Sequence, residues 1–388
     1  MAGWRRVKKG RNQRMINRQR VLQEFMELVA IASPSRGERE IADVLKDKLQ
    51  AAGLLVEEDG AGAKVGGNAG NLIARLPGTV AGAPVLMLSA HMDSVPPCTG
   101  IRPQLNDGVI TSAGDTILGA DCKSGIVPIL EALRRLREES LPHGEIVAVF
   151  TISEEAGLDG AIHIDPEKIR ADFGYALDGE EVGSVTNMAP GQNSIDIVVR
   201  GKTSHAGVAP EEGINAIVLA GKALAAIPQG RVDFETTCNV GLIQGGTATN
   251  IVPDRVEIGA EARSRDMDKL ARLTREITDA FLRIAAAGGG SAEISVRKSY
   301  EPFVLDENSP VVATAVRAAK AAGIVPRIEA TGGGSDGNFF NRYGVPTAIL
   351  WTGMAKVHTT AEFIREDDLY RSAEWTLAII AEMAKLTK

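Results

Sequence analysis

Apolar residues in the first half of the chain follow two different spacings. They recur at i, i+3, i+4 and i+7 over residues 22–29 and every four residues over 41–49, which predicts two amphipathic helices. A further helix is predicted at 124–140. Because buried strands alternating with helices are typical of α/β layer sandwiches, we expect a largely parallel sheet. Its strands are predicted from apolar, β-rich runs at 71–76, 84–90, 145–152, 173–177 and 345–351.

The pattern changes between residues 182 and 298. Apolar alternation and helical spacing there predict the order β-α-β-β-α-β, which is that of a ferredoxin-like unit. We therefore expect an inserted domain at 182–298, while 15–181 and 299–388 together form the first domain. The glycine-rich segment at 60–70 is expected to be a flexible loop.

Composition narrows the class of protein. The chain has 388 residues, a net charge of -7 and no apolar run that approaches the roughly 18 uncharged residues of a membrane span. We therefore expect neither a membrane protein nor a general nucleic-acid-binding protein. Cys98, Cys122 and Cys238 are odd in number and widely spaced, which argues against a disulfide framework and indicates a reducing, cytoplasmic location.

The N-terminal residues differ in charge from the rest of the chain. The first 20 residues hold eight Lys or Arg and no acid, and no apolar segment of a signal peptide follows them. We expect residues 1–14 to be a basic, disordered extension, with a nucleic-acid-binding arm as the alternative. Met15 is an alternative translation start.

Chemically versatile residues are concentrated where the predicted strands end. The run at 84–90 is followed by His91 and Asp93, and residues i and i+2 of a strand point to the same side. Asp93 could therefore accept a hydrogen bond from one imidazole nitrogen while the other faces a metal ion. A satisfied structural pair explains these two residues equally well.

Acidic residues follow two further elements. The run at 145–152 leads to adjacent Glu154 and Glu155, whose charges would repel unless a divalent cation compensates one and leaves the other free as a base. Asp121 lies in the glycine-flanked turn GADCKSG. A helix cap at Asp121 and a solvated acidic loop at 154–155 are the structural alternatives.

The two remaining strand ends supply Asp178 and His358. With His91, Asp121 and Glu155 they would place two imidazoles and three carboxylates around one rim of the sheet. That donor set suits a pair of borderline divalent ions if one carboxylate bridges them. Zinc fits best, with cobalt or manganese as alternatives.

Seven motifs occur in an order that resembles a known family: SAHMDSVPP, GADCKSG, TISEEAGLDGA, SHAG, TATNIVP, GGGSDGNFF and HTTAEF. Over roughly residues 16–386 the chain resembles the di-zinc amino- and carboxypeptidase family that includes peptidase T, carboxypeptidase G, succinyl-diaminopimelate desuccinylase, acetylornithine deacetylase and aminoacylase. The likeness is greatest to peptidase T-like proteins. The resemblance implies a three-layer α/β/α catalytic domain and an inserted lid domain, whose edge strand and outer helix commonly form a homodimer.

The resemblance also implies a role for each strand-end residue. Glu154 would be the general base, and Asp93 would orient the first histidine. In the family pattern Asp121 would bridge the two metal ions. His91 and Asp178 would complete the ligands of one ion, and Glu155 and His358 those of the other.

Substrate contacts are implied as well. His205 of SHAG would help bind the substrate carbonyl, in some members across the dimer interface. Arg263 of AEARS would also contact the substrate. Closure of the lid would bring His205, Asn250 and Arg263 together around the substrate. From the residues alone, a surface histidine at 205 and a structural ion-pair partner at 263 are the favoured interpretations. The remaining substrate-binding residues that the resemblance implies are Asn250, Gly333 and Gly334.

Cys122 follows the implied bridging residue, at a position where close relatives often carry a polar or acidic residue. It could ligate zinc or serve as a small buried hydrophobe. His143 and His163 match no ligand position of the family.

These inferences predict a hydrolase that cleaves an amide bond of a small peptide, most simply a peptidase T-like tripeptide aminopeptidase. An N-acyl-amino-acid deacylase or a carboxypeptidase-like hydrolase could use the same metal site. An inactive binding scaffold is disfavoured because every implied ligand and the base are present. A nucleotide-dependent oxidoreductase is disfavoured because the glycines at 332–337 lack a strand–GxGxxG–helix context.

Overall fold

The computed structural model describes residues 16–386, so the extension predicted at 1–14 lies outside the described residues. The described residues divide into two compact units, of which the second comprises 188–304 and 331–334 and the first comprises the other described residues. The sequence predicts the insertion at 182–298. The structure differs because residues 299–304 and the glycine-rich residues 331–334 group with the second unit, where the Thr331 N–H donates to the Met188 carbonyl at 2.9 Å.

Helices cover the three segments for which helical spacing predicts them. The helices at 22–29, 41–49 and 124–140 are all present, with ends shifted by a few residues. In chain order the helices are α1 (Arg18–Val29), α2 (Arg39–Ala51), α3 (Ala61–Val65), α4 (Ala120–Glu138), α5 (Asp159–His163), α6 (Ala216–Leu224), α7 (Met267–Ala287), α8 (Pro310–Ala321), α9 (Asp336–Arg342) and α10 (Glu366–Met383).

Strands occupy the predicted apolar runs and several shorter segments between them. Those of the first half are β1 (Leu55–Glu58), β2 (Leu72–Leu76), β3 (Leu86–His91), β4 (Pro103–Asn106), β5 (Val109–Ser112), β6 (Ile146–Thr151), β7 (Phe173–Leu177), β8 (Ser184–Ala189) and β9 (Gly191–Arg200). The rest are β10 (Gly230–Arg231), β11 (Thr236–Gly245), β12 (Arg255–Ser264), β13 (Ser291–Tyr300), β14 (Phe303–Val304), β15 (Arg327–Ala330), β16 (Thr347–Leu350), β17 (Met354–Ala355) and β18 (Phe363–Arg365).

The large sheet of the first unit is mixed. Its strand order is β1-β2-β6-β3-β7-β16-β8, and β15 also pairs with β8. The central strands β6, β3, β7 and β16 run parallel to one another. The outer strands β1, β2 and β8 pair antiparallel with their neighbours. The expectation of a largely parallel sheet is therefore right for the centre and wrong for the edges, because burial shows that a strand is covered but not which way it runs.

The parallel strands end at a common edge of this sheet. Every residue of β3, β6 and β16 is buried, as their continuous apolar sequences predict. His91 at the end of β3 is in register with Thr151 at the end of β6, and Leu350 of β16 is in register with Leu177 of β7. Residues that follow these positions consequently emerge along one rim, where open α/β sheets bind their ligands.

The glycine-rich segment at 60–70 is not a flexible loop but contains helix α3. Oδ1 of Asp59 accepts the N–H of Ala61 at 2.9 Å, and Gly66 ends the helix with a left-handed φ of 72°. A Cβ atom at Gly62 would lie 1.9 Å from the carbonyl oxygen of Ala69. The glycine is needed here because the backbone packs closely, which turn-residue composition does not reveal.

The second unit contains a five-stranded antiparallel sheet in the order β10-β11-β12-β9-β13. Helices α6 and α7 pack against it, and Ile195, Ile197 and Phe281 belong to the shared core. The main elements follow the predicted order β-α-β-β-α-β. Among residues 16–386, no helix combines the length and the hydropathy needed to cross a membrane.

Candidate metal centre

The rim of the large sheet carries the predicted ligands of the first unit. Asp121 lies at the start of α4, where its backbone is not yet helical (φ -80°, ψ 105°). His358 lies between β17 and β18 with a left-handed φ of 61°, a conformation that is uncommon for residues other than glycine but that histidine adopts more often than most. The residues at or just after the ends of β3, β6 and β7 are His91, Glu154, Glu155 and Asp178.

The carboxylate of Asp121 lies between two imidazoles. Its Oδ1 atom is 2.9 Å from Nε2 of His91, and its Oδ2 atom is 3.3 Å from Nε2 of His358. The same His358 nitrogen lies 3.0 Å from Oε1 of Glu155. Asp121 thus presents one oxygen to each histidine, which is the arrangement expected of a carboxylate shared by two metal ions.

Potential donor atoms form overlapping groups around this carboxylate. Within each group the atoms that could bind one ion lie no more than 4.8 Å apart. Two atoms bound to one zinc ion at about 2.0–2.3 Å can be at most about 4.6 Å apart, so the spacing is close to that of a zinc site. The groups are His91, Asp121, Cys122 and Asp178; Asp121, Glu155 and His358; and His91, Glu154 and Glu155.

Asp93 is buried beside His91 and contacts the turn that carries both glutamates. Its Oδ1 atom lies 3.3 Å from Nδ1 of His91 and accepts the backbone N–H of Glu154 at 3.0 Å. Its Oδ2 atom accepts the hydroxyl of Ser35 at 2.6 Å and the backbone N–H of Glu155 at 3.2 Å. Nδ1 of His91 also lies 3.1 Å from the backbone carbonyl oxygen of Asp93. Asp93 therefore holds the first imidazole through its carbonyl and its carboxylate, and the carboxylate also holds the Glu154–Glu155 turn.

Negative charge is concentrated at the rim. Burial raises the pKa of Asp178 to about 8, and the neighbouring Asp121 carboxylate adds to that shift. Burial also raises the pKa of Glu154 well above its usual value. Hydrogen bonds to Asp121 and Glu155 raise the pKa of His358 to about 10. Burial of several carboxylates side by side therefore favours neutralisation of their charge, which bound cations would supply.

Two buried carboxylates at this rim were not predicted from the sequence. Oδ2 of Asp336 accepts the hydroxyl of Thr151 at 2.5 Å, while Oδ1 is buried without a hydrogen-bond partner among the described residues. Glu362 is 1% exposed and lies four residues after His358. Both acids occur inside motifs that resemble the family, GGGSDGNFF and HTTAEF. Neither follows the end of a predicted strand, so the search for candidate residues at strand ends did not find them.

Cys122 is buried and its thiol donates to the carbonyl of Leu177 at 2.7 Å. This contact favours the structural role among the two predicted for it, although its sulfur atom also lies within the first donor group. His143 and His163 belong to none of the donor groups found among residues 16–386.

The second unit contains all five predicted substrate-binding residues. His205 is exposed, and its Nδ1 atom accepts the N–H of Gly207 at 3.1 Å, which leaves Nε2 to carry the proton. The carbonyl of Asn250 accepts the N–H of Ala206 at 3.0 Å, so the SHAG and TATN motifs are adjacent. Substrate-binding roles for these residues stay predictions.

Arg263 and the glycine pair lie in ordered surroundings of the same unit. Nε and Nη2 of Arg263 each lie 3.0 Å from a carboxylate oxygen of Glu261. The guanidinium is therefore part of an ion pair, which is the alternative to a substrate contact. A Cβ atom at Gly334 would lie 2.3 Å from the Tyr300 ring, so only glycine fits at this position. The N–H of Gly333 donates to the Thr331 hydroxyl at 3.1 Å. A substrate role for these residues also stays a prediction.

Comparison with known proteins agrees with the chemistry of this rim. The model of Peptidase family M20/M25/M40 matches residues 87–382. Aminopeptidase PepT from Bacillus cereus superposes with a TM-score of 0.90 at 45% identity, covering 95% of this chain and 100% of that one. A tripeptidase from Staphylococcus aureus superposes with a TM-score of 0.93 at 42% identity, covering 96% and 100%. The uncharacterized protein YqjE of Bacillus subtilis is 42% identical over 372 residues, covering 96% of this chain and all of YqjE.

The chain belongs to Peptidase family M20/M25/M40. It is a metal-dependent peptide hydrolase, and the predicted family, α/β fold and enzyme class are confirmed.

Proposed function

We propose that the rim of the first unit binds two divalent metal ions that share Asp121. The donor set of imidazoles and carboxylates is one that zinc, cobalt and manganese accept. The concentration of buried negative charge favours cations, and the spacing of the donor atoms fits ions of this size. The proposed ligands of one ion are His91, Asp121 and Asp178, and those of the other are Asp121, Glu155 and His358.

Glu154 is the proposed general base. Bound divalent ions would polarise the scissile carbonyl and lower the pKa of a water molecule towards neutrality. The Glu154 carboxylate would accept a proton from the attacking water and later donate it to the leaving amine. The hydrogen bond from its backbone N–H to Asp93 holds this residue beside His91, so base and ligands keep one geometry.

We infer that the substrate is a short peptide with a free N-terminus, most simply a tripeptide. The high identity to the Bacillus cereus aminopeptidase and the Staphylococcus aureus tripeptidase supports this choice. The observation that carries the catalytic part of the proposal is the Asp121 carboxylate shared by His91 and His358.

A substrate panel tests the proposal. Purified protein would be assayed with tripeptides, dipeptides and N-acetyl amino acids, and its metal content measured in parallel. We expect release of the N-terminal residue from tripeptides and about two metal ions per chain. Faster hydrolysis of N-acetyl amino acids would instead favour the deacylase alternative.

We also propose a homodimer that forms through the second unit. Strand β10 pairs with β11 only at Thr237 and Cys238, so residues 239–245 of β11 form a sheet edge among the described residues. Leu242 and Ile243 on this edge are 74% and 57% exposed. A second copy of the chain would cover this apolar edge, which isolated proteins rarely leave open.

Helix α6 extends the same apolar surface. Ile217 and Val218 are about half exposed, and a Cβ atom at Gly246 would lie 3.3 Å from Cδ1 of Ile217. The exposed helix face and the end of β11 are therefore adjacent.

We also infer a cytoplasmic location. Cys98, Cys122 and Cys238 are buried and form no disulfide, which is typical of proteins in a reducing compartment.

A further inference from the structure

Glu362 holds the turn that carries Asp121. Its Oε2 atom accepts the backbone N–H of Gly119 at 2.6 Å, and its Oε1 atom accepts that of Asp121 at 3.0 Å. The side chain is 1% exposed, so water does not compete for these bonds. A buried carboxylate that accepts two amides is one of the strongest local restraints available to a backbone.

The same residue is tied to the segment that carries His358. Glu362 follows that histidine by four residues, and its backbone N–H donates to the carbonyl of Thr359 at 3.0 Å. Strand β18 begins at the next residue and pairs with β5, which anchors the far side of the segment. Glu362 thus links the turn that carries Asp121 directly to the segment that carries His358.

We propose that Glu362 is a positioning residue that couples the two metal positions, an inference that rests on the proposed two-metal centre. Asp121 must direct one oxygen towards each ion, while His358 binds only one of them. Glu362 fixes the Asp121 backbone relative to the His358 segment. It therefore aligns His358, a ligand of one ion, with Asp121, the ligand that both ions would share. Partners of this kind typically change metal affinity by about 10–100-fold when they are altered.

A purely structural role would give a different result. In that case Glu362 would stabilise the metal-free fold, and its replacement would lower the melting temperature without changing the affinity for metal. A positioning role requires the affinity of at least one of the two ions to fall while the chain remains folded. The two roles are therefore separated by metal binding rather than by activity.

The test is a titration of the full, chelator-treated chain with CoCl₂, followed by calorimetry and by the visible absorption of bound cobalt. Glu362→Gln keeps the shape but turns an amide donor towards a backbone N–H, and Glu362→Asp keeps the charge but shortens the reach. Glu366→Gln is the matched control, since its carboxylate accepts the Tyr370 hydroxyl and not the Asp121 turn. Circular dichroism identifies any variant that fails to fold.

We expect the wild type and Glu366→Gln to bind two cobalt ions with the same affinities. We expect both Glu362 variants to bind at least one of the two ions about 10–100-fold more weakly, with an altered spectrum, because Asp121 is a proposed ligand of both ions. If Glu362→Gln fails to fold, Glu362→Asp decides the result. Wild-type affinities for both ions in a folded Glu362 variant would overturn the inference. Fewer than two ions on the wild type would overturn the proposed metal centre instead.

Discussion

The carboxylate of Asp93 accepts the backbone N–H of Glu154 at 3.0 Å and lies 3.3 Å from the ring of His91. The residue implied to orient a ligand therefore also restrains the proposed base. The ligand His91 ends β3 and the proposed base Glu154 follows β6, and this buried side chain connects the two strand ends.

Asp93→Asn is expected to impair both metal binding and catalysis. The new amide group would face a backbone N–H or the Ser35 hydroxyl where the carboxylate now accepts hydrogen bonds. We expect metal affinity to fall by about 10–100-fold and turnover to fall further, because Glu154 also loses its restraint. Titration with zinc and tripeptide assays at saturating zinc separate the two effects. Full turnover at saturating zinc would show that Asp93 acts on His91 alone.

Cys122→Ser tests whether the cysteine is a ligand. The serine hydroxyl can replace the thiol as donor to the Leu177 carbonyl, so the structural contact survives. We expect unchanged metal stoichiometry and at most a small loss of stability. The cobalt-loaded wild type should show no intense thiolate-to-cobalt absorption in the near ultraviolet. Such a band, lost in Cys122→Ser, would establish ligation by the sulfur.

The apolar edge of β11 provides a test of assembly. Leu242→Arg would place a charge on a side chain that is 74% exposed in the single chain, so folding should be unaffected. We expect the variant to be a monomer by analytical ultracentrifugation while the wild type is a dimer. Val325→Arg is the matched control, since Val325 is 73% exposed in the first unit. A dimeric Leu242→Arg variant or a monomeric wild type would contradict the proposed interface.

Much of the metal centre could be predicted because its residues follow buried strands. Apolar runs locate β3, β6 and β7 and hence the positions of His91, Glu155 and Asp178 at their ends. Asp121 and His358 were also expected at this rim from the sequence, but the family resemblance was needed to divide the ligands between two ions, because both residues lie outside regular strands. Glu362 illustrates the limit of such prediction, since its partners Gly119 and Asp121 are more than 240 residues away in sequence.

The errors have physical causes as well. Apolar periodicity indicates burial but not strand direction, so the antiparallel outer strands β1, β2 and β8 were not foreseen. Glycine content at 60–70 resembles that of a flexible loop, whereas close packing of Gly62 against Ala69 is the reason for one of these glycines.

Comparison of Glu154→Gln with the wild type tests the central claim most directly. Tripeptide turnover and metal content would be measured on the same preparations, because the substitution removes the proton acceptor but none of the proposed ligands. We expect two metal ions per chain in both proteins and a fall in kcat of about 10²–10⁴-fold in the variant. Turnover near the wild-type value in the metal-loaded Glu154→Gln variant would contradict the account.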